Sequence, residues 1–216
     1  MKKSLLIFDL DGTLINTLKD LNIATNYALA KFGYPLRTID QTRRDIGNGV
    51  AKLIERSIPN GIENKDYPLC LSIFKDYYKV HYFENSLPYE GIKETLTALK
   101  NEGYTLAVVS NKFDEGAKKL VTYYLPNLFA TIQGTIPELR PKPYSDLVEK
   151  VLNELHFKKE DTLYIGDTNV DYETATNSGL DCVLVSYGYR SKDFLLELTK
   201  SSPIIDSISE LINLLH

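Results

Sequence analysis

The run Leu5-Leu6-Ile7-Phe8-Asp9-Leu10-Asp11-Gly12-Thr13-Leu14 passes from four apolar residues to two carboxylates and a glycine. Four apolar residues bounded by polar ones are too few for a helix core. They suit a strand buried on both faces, as in a parallel sheet. A charge at the end of such a strand is costly unless it is paired or bound to a cation. Gly12 permits a backbone turn that most residues resist. Two carboxylates one residue apart at that place point to a cation, a substrate, or both. The same letters also suit a solvated turn or a helix N-cap, because Asp-Gly is a common turn dipeptide.

With 216 residues the chain can bury a substantial core, in one domain or two small ones. Apolar residues make up 43% and charged residues 25%, as in ordinary globular proteins. A net charge of −4 and a pI near 5.5 leave no basic footprint for nucleic acid. The start Met1-Lys2-Lys3 imitates a secretory leader, but the apolar run behind it is short and Asp9 and Asp11 interrupt it. No apolar run is long enough to span a bilayer. The expectation is a cytoplasmic protein, monomer or homodimer, without nucleic-acid or membrane partners. Cys70 and Cys182 are far apart among apolar neighbours, which suits free, buried thiols in a reducing compartment. His81, His156 and His216 do not cluster, which argues against a His-based zinc site or a Ser-His-Asp triad.

Beyond the opening strand, apolar spacing predicts a helix from about Leu18 to Phe32, capped by Thr17 and closed by Gly33. Further helices are expected over Thr38 to Asp45, from Val50 to Ile58, and from Lys65 to Phe83. The last is rich in aromatics that read as core rather than as a stacking platform. Between Asn16 and Asn85 nothing reads as a strand. After Leu87-Pro88-Tyr89-Glu90-Gly91 helix and strand alternate. Strands are expected at Tyr104–Val109, Phe129–Ile132, Thr162–Ile165 and Cys182–Val185. Helices are expected at Ile92–Asn101, Glu115–Tyr124, Tyr144–Leu155 and Glu173–Ser178. A helix near Asp193–Leu198, an apolar Pro203-Ile204-Ile205 and a last helix to Leu214 follow. Such alternation argues for an α/β fold with a doubly wound parallel sheet. The division expected is a core of residues 1–15 and 86–216 with an all-helical insert of residues 16–85.

Open parallel sheets bind ligands beyond the carboxyl ends of their strands. Asp9 and Asp11 end the first strand, Ser110-Asn111 the second, and Gly166-Asp167 the fourth, with Asp171 following. Lys142 stands between Pro141 and Pro143, stiffened in place. Each residue alone could be a cap or a surface group. Together they form an oxygen-rich set suited to Mg²⁺ rather than zinc. A hydroxyl, an amide and a lysine can hold phosphate oxygens. One aspartate can attack phosphorus and a second carboxyl can move the proton.

These residues, in this order, resemble the haloacid dehalogenase superfamily of phosphotransferases. Asp9-Leu10-Asp11-Gly12-Thr13-Leu14 looks like its first motif and Ser110 its second. Lys142 in Arg140-Pro141-Lys142-Pro143 looks like the third, and Gly166-Asp167-Thr168-Asn169-Val170-Asp171 the fourth. The resemblance implies a Rossmann-like core with residues 16–85 as an alpha-helical cap. It implies Asp9 as nucleophile and Mg²⁺ ligand, and Asp11 as general acid/base with its backbone carbonyl on Mg²⁺. Asp167 would be a further ligand, with Asp171 and Thr13 in support. Ser110, Asn111, Lys142 and the backbone at Gly12 would bind the phosphoryl group. The cap would close over the site and exclude water.

Asp11 argues against dehalogenation, because the dehalogenases lack that second carboxylate. The cap run Ile46-Gly47-Asn48-Gly49-Val50-Ala51-Lys52-Leu53, together with Tyr187-Gly188-Tyr189-Arg190, looks like phosphoglycolate phosphatases and related pyrophosphatases. The expected activity is Mg²⁺-dependent hydrolysis of small phosphorylated metabolites through an aspartyl phosphate. The alternatives are an inorganic pyrophosphatase, a phosphosugar mutase of the beta-phosphoglucomutase type, or a non-catalytic phosphate-ester-binding protein. Arg43, Arg44 and Asn48 are candidate cap residues for substrate selection. An arginine there can meet a substrate carboxylate, or simply face solvent.

Overall fold

The computed structural model describes residues 3–216. Met1 and Lys2, where the leader-like start begins, lie outside the described residues. The elements run β1 (Leu5–Phe8), β2 (Ile15–Asn16), α1 (Leu18–Ala30), α2 (Ile39–Asp45), α3 (Gly49–Ser57) and α4 (Tyr67–His81). Then follow β3 (Leu87–Pro88), α5 (Ile92–Asn101), β4 (Thr105–Phe113), α6 (Asp114–Tyr124), β5 (Thr131–Thr135) and α7 (Asp146–Leu155). The chain finishes with β6 (Thr162–Gly166), α8 (Asn169–Ser178), β7 (Asp181–Val185), α9 (Lys192–Leu198), β8 (Ile204–Ile205) and α10 (Glu210–Leu215).

Two compact units result: the chain through Ile15 with Pro88–His216, and Asn16–Leu87. The first is built on a six-stranded sheet of order β5-β4-β1-β6-β7-β8. Every pairing in it is parallel. All four side chains of β1 are fully buried. Their burial contributes roughly 1.5–3 kcal/mol each and explains the uninterrupted apolar run. Leu5 and Ile7 point to the face covered by Leu147, Val148, Val151 and Leu152 of α7, Ala175 of α8 and Leu195 of α9. Strand order reverses at β1, with β4 on one side and β6 on the other. That is the switch point at which such sheets open a crevice.

Three elements differ from the sequence reading by more than two residues at a boundary. β4 continues to Phe113 instead of ending at Ser110-Asn111, because its ladder with β5 resumes at Phe113–Thr135 after a register shift. β5 occupies Thr131–Thr135 rather than Phe129–Ile132. Its Gln133 and Gly134 are buried without an apolar signature, and a Cβ at Gly134 would lie 2.5 Å from the Asp114 Cα. α8 starts at Asn169, not Glu173, because Asp171 Oδ2 accepts both the Thr168 N–H (3.0 Å) and its hydroxyl (2.7 Å). That reciprocal cap fixes the first turn.

The second unit is helical. Cys70, Phe74 and Tyr78, four residues apart, form the buried stripe of α4, and Tyr82 continues it. The expected cap at Thr17 is not made by its side chain; Asn16 Oδ1 accepts the Leu18 N–H instead. Asp20, buried in α1, accepts from the Asn85 N–H at 3.0 Å and the Ser86 hydroxyl at 2.6 Å. The start of this unit is thereby tied to its end. Thr38 caps α2 through a reciprocal pair with Gln41.

Candidate active site

Parallel strands in register bring their carboxyl ends to one edge. Phe8 pairs with both Val108 and Ile165, so Asp9 emerges level with Val109 and Gly166, one residue before Ser110 and Asp167. Lys142 then joins them. Its Nζ lies 2.7 Å from Asp9 Oδ1 and 2.7 Å from Asp171 Oδ1. Its backbone is gripped by Asn111, whose Oδ1 accepts the Lys142 N–H (2.8 Å) and whose Nδ2 donates to the Lys142 carbonyl (3.0 Å). The Asn111 amide, expected on phosphate, therefore holds the lysine loop.

Asp167 accepts from the Thr13 hydroxyl at 3.1 Å and from the Tyr189 N–H at 2.6 Å. Asp171 is saturated: Oδ1 takes Lys142 and the Tyr164 hydroxyl (3.2 Å), while Oδ2 takes Thr168 and the Asp167 N–H (3.2 Å). Ser110 is buried and accepts the Lys112 N–H at 3.2 Å. Asp11, half-buried, turns its carboxyl to Lys112 at 3.2 Å rather than into the Asp9 cluster. Gly12 has a φ of +98°, and a Cβ there would come within 2.4 Å of Asp167 Oδ2. In the helical unit, Arg43 and Arg44 are exposed and Asn48 accepts from Arg56 at 2.8 Å.

Burial dominates the electrostatics. It raises Asp9 from 3.8 to about 7, reinforced by Asp171 and opposed by Lys142. Burial also pushes Asp167 well up, helped by Asp171 and Asp9. For Lys142 burial alone would lower the ammonium's pKa, yet Asp171 and Asp9 outweigh it and hold it well above its usual value. One lysine thus pairs with two of three clustered, buried carboxyls, Asp9 and Asp171. Asp9, Asp167 and Asp171 each offer an oxygen within 4.8 Å of the others. An all-oxygen, electron-rich pocket of this kind fits a hard divalent cation. Because Asp171 is already saturated, Asp9 and Asp167 are the side chains best placed to ligate it.

Fold and cluster define the class: a doubly wound parallel sheet that carries a lysine and three clustered, buried carboxyls at its switch point. The chain belongs to the haloacid dehalogenase-like hydrolases, whose family model matches residues 6–185. It is 35% identical over 191 residues to the phosphoglycolate phosphatase of Aquifex aeolicus, covering 85% of each chain. To that of Haemophilus influenzae it is 31% identical over 220 residues, covering 96% of each. A crystal structure from Lactobacillus delbrueckii subsp. bulgaricus, provisionally named phosphoglycolate phosphatase, superposes with a TM-score of 0.94. That comparison has 30% identity and covers 100% of this chain and 99% of the other. The chain is thus an enzyme of the phosphatase kind within that family. Among the described residues no helix is long and apolar enough to cross a membrane.

Several contributors escaped the sequence reading. Lys112 was hidden by ending β4 too early, at the register shift between Val109 and Phe113. Tyr164 sits in a buried strand, and a buried phenol needs a partner, which is a legible signal. Tyr189 acts through its backbone N–H, so its side-chain type carries none. Beside it, a Cβ on Gly188 would lie 2.4 Å from the Asp167 Cβ, so this loop must pass close.

Proposed function

We propose that this protein is a Mg²⁺-dependent phosphatase of small phosphate monoesters, with Asp9 as nucleophile. The observation that carries the reading is the Asp9 carboxyl, buried at the end of the central strand and held by Lys142 at 2.7 Å. In the first half-reaction an Asp9 oxygen bonds to phosphorus, the ester P–O bond breaks, and Asp11 gives its proton to the departing oxygen. In the second, water bonds to phosphorus, the Asp9–phosphorus link breaks, and the water's proton returns to Asp11. Lys142 and the backbone N–H groups near Leu10 and Asn111 hold the phosphoryl oxygens, with the Ser110 hydroxyl beside them, while the Gly12 N–H, expected on phosphate, is taken by the Ile15 carbonyl at 2.9 Å. Asp9, Asp167 and the Asp11 carbonyl would hold Mg²⁺, which when bound offsets negative charge on the transferring group.

Phosphoglycolate is the first substrate to test, because full-length relatives bear that name. Residues 16–85 are the proposed cap, and Arg43, Arg44 and Asn48 the proposed selectors of the substrate's organic part. A cytoplasmic setting accompanies the reading, supported by two free, buried cysteines. The test is phosphate release from a panel of phosphoglycolate, sugar phosphates, nucleotides and pyrophosphate with Mg²⁺. Monoester turnover is expected, with Asp9→Asn losing at least about 10³-fold while keeping its circular dichroism. In the same panel Arg44→Ala is expected to raise KM for phosphoglycolate. Full activity in Asp9→Asn, or isomerised sugar phosphate outrunning free phosphate, sinks the reading.

A further inference from the structure

The mechanism above uses Lys142 and leaves a second buried lysine without a task. β4 runs on past Ser110, and within it Ser110 and Lys112 are buried while Asn111 and Phe113 are only partly so. The main chain of Lys112 is tied at each end. Its N–H donates to Ser110 Oγ at 3.2 Å, and its carbonyl accepts from the Thr135 hydroxyl at 3.3 Å. A long side chain therefore starts from a fixed base. That side chain is 1% exposed and carries Nζ to within 3.2 Å of Asp11 Oδ1.

Asp11 is anchored from its own side. The turn after it is closed by Gly12 N–H to the Ile15 carbonyl at 2.9 Å, and by Leu14 and Ile15 N–H to the Leu10 carbonyl at 3.0 Å. Its carboxyl keeps 18% exposure, so the group is held on its inner side and still open outward. An ammonium is taken out of water only where a carboxylate answers it. The extension of β4 places this charge beside the carboxyl to which the proton transfer is assigned.

We propose that Lys112 is a positioning residue for Asp11, fixing Oδ1 so that the other oxygen faces the departing ester oxygen. The inference rests on the assignment of Asp11 as acid/base. Its signature is the leaving group. A p-nitrophenolate departs without a proton, whereas an alkoxide needs one, and kcat/KM reports the half-reaction in which the ester bond breaks.

The experiment compares kcat/KM for p-nitrophenyl phosphate and an alkyl phosphate, with Mg²⁺, in the wild type, Lys112→Met and Asp11→Asn. Lys112→Met is expected to lose about 3-fold on the aryl ester and about 30-fold on the alkyl ester, with Asp11→Asn showing the same pattern more strongly. Equal losses on both esters in Lys112→Met, beside a selective loss in Asp11→Asn, overturn the proposal and leave the acid/base assignment standing. Equal losses in both variants overturn both. Should Lys112→Met not fold, judged by its thermal transition, Lys112→Gln takes its place under the same criteria.

Discussion

Glycine walls the carboxylates of this site at three positions. A Cβ on Gly12 would meet Asp167 Oδ2 at 2.4 Å, one on Gly166 would meet the Asp171 Cβ at 2.3 Å, and one on Gly188 would meet the Asp167 Cβ at 2.4 Å. The acids take the space a side chain would need. At Gly12 the backbone adds its own demand, with a φ of +98°. Gly12→Ala is therefore expected to destabilise by at least about 1–2 kcal/mol from backbone strain alone. Activity should fall further than the stability loss explains, because Asp167 must move. Urea unfolding beside kcat checks both; unchanged values refute the crowding argument. At this scale the sequence was informative where function lies in side-chain type at strand ends, as for Asp9, Ser110, Asp167 and Lys142. It was silent on Tyr189, whose contribution is an amide that every residue but proline owns.

Helix α8 joins stability to the site. Asp171 caps its first turn through Thr168 and, with its other oxygen, holds Lys142 at 2.7 Å. Among the described residues, the cap of α2, built from Thr38 and Gln41, makes no such second contact. Thr168→Ala is expected to cost about 1 kcal/mol and also to lower kcat, because Asp171 loses a restraint. Thr38→Ala should cost a similar amount without touching kcat. Thermal melts with steady-state kinetics on both variants separate them; an unaltered kcat in Thr168→Ala would refute the coupling. Helix interiors were read well from apolar spacing, as Ile92–Asn101 shows. The end of β4 and the start of α8 were not, since hydrogen bonding continued there through polar residues.

For the whole molecule, the excess of buried carboxyls makes stability depend on pH and on cation. Without a metal, burial pushes the Asp9 carboxyl up from 3.8 to about 7, and it raises Asp167 as well. Between those values the folded state binds more protons than the unfolded chain, so stability falls as pH rises through that window. The expected result is a melting temperature of EDTA-treated protein that declines from about pH 4 to about pH 7. Asp9→Asn should flatten that decline. Added Mg²⁺ should raise the melting temperature more at the upper pH, where the carboxylates are ionised and a bound ion stabilises the folded state. A flat profile in the wild type would refute the assignment of burial as the dominant influence.

What the sequence by itself determined is the sheet and the type of its chemistry. Apolar runs such as Leu5–Phe8 declare buried parallel strands, and strand-end residues are read directly because topology alone brings them to one edge. Only the tertiary structure decided how these groups divide the work. That Asp171 is saturated, that Asn111 grips the lysine loop, and that Lys112 reaches Asp11 depend on register shifts and long-range contacts. Those are set by packing between residues as distant as Lys112 and Asp11, and local spacing in the chain does not encode them.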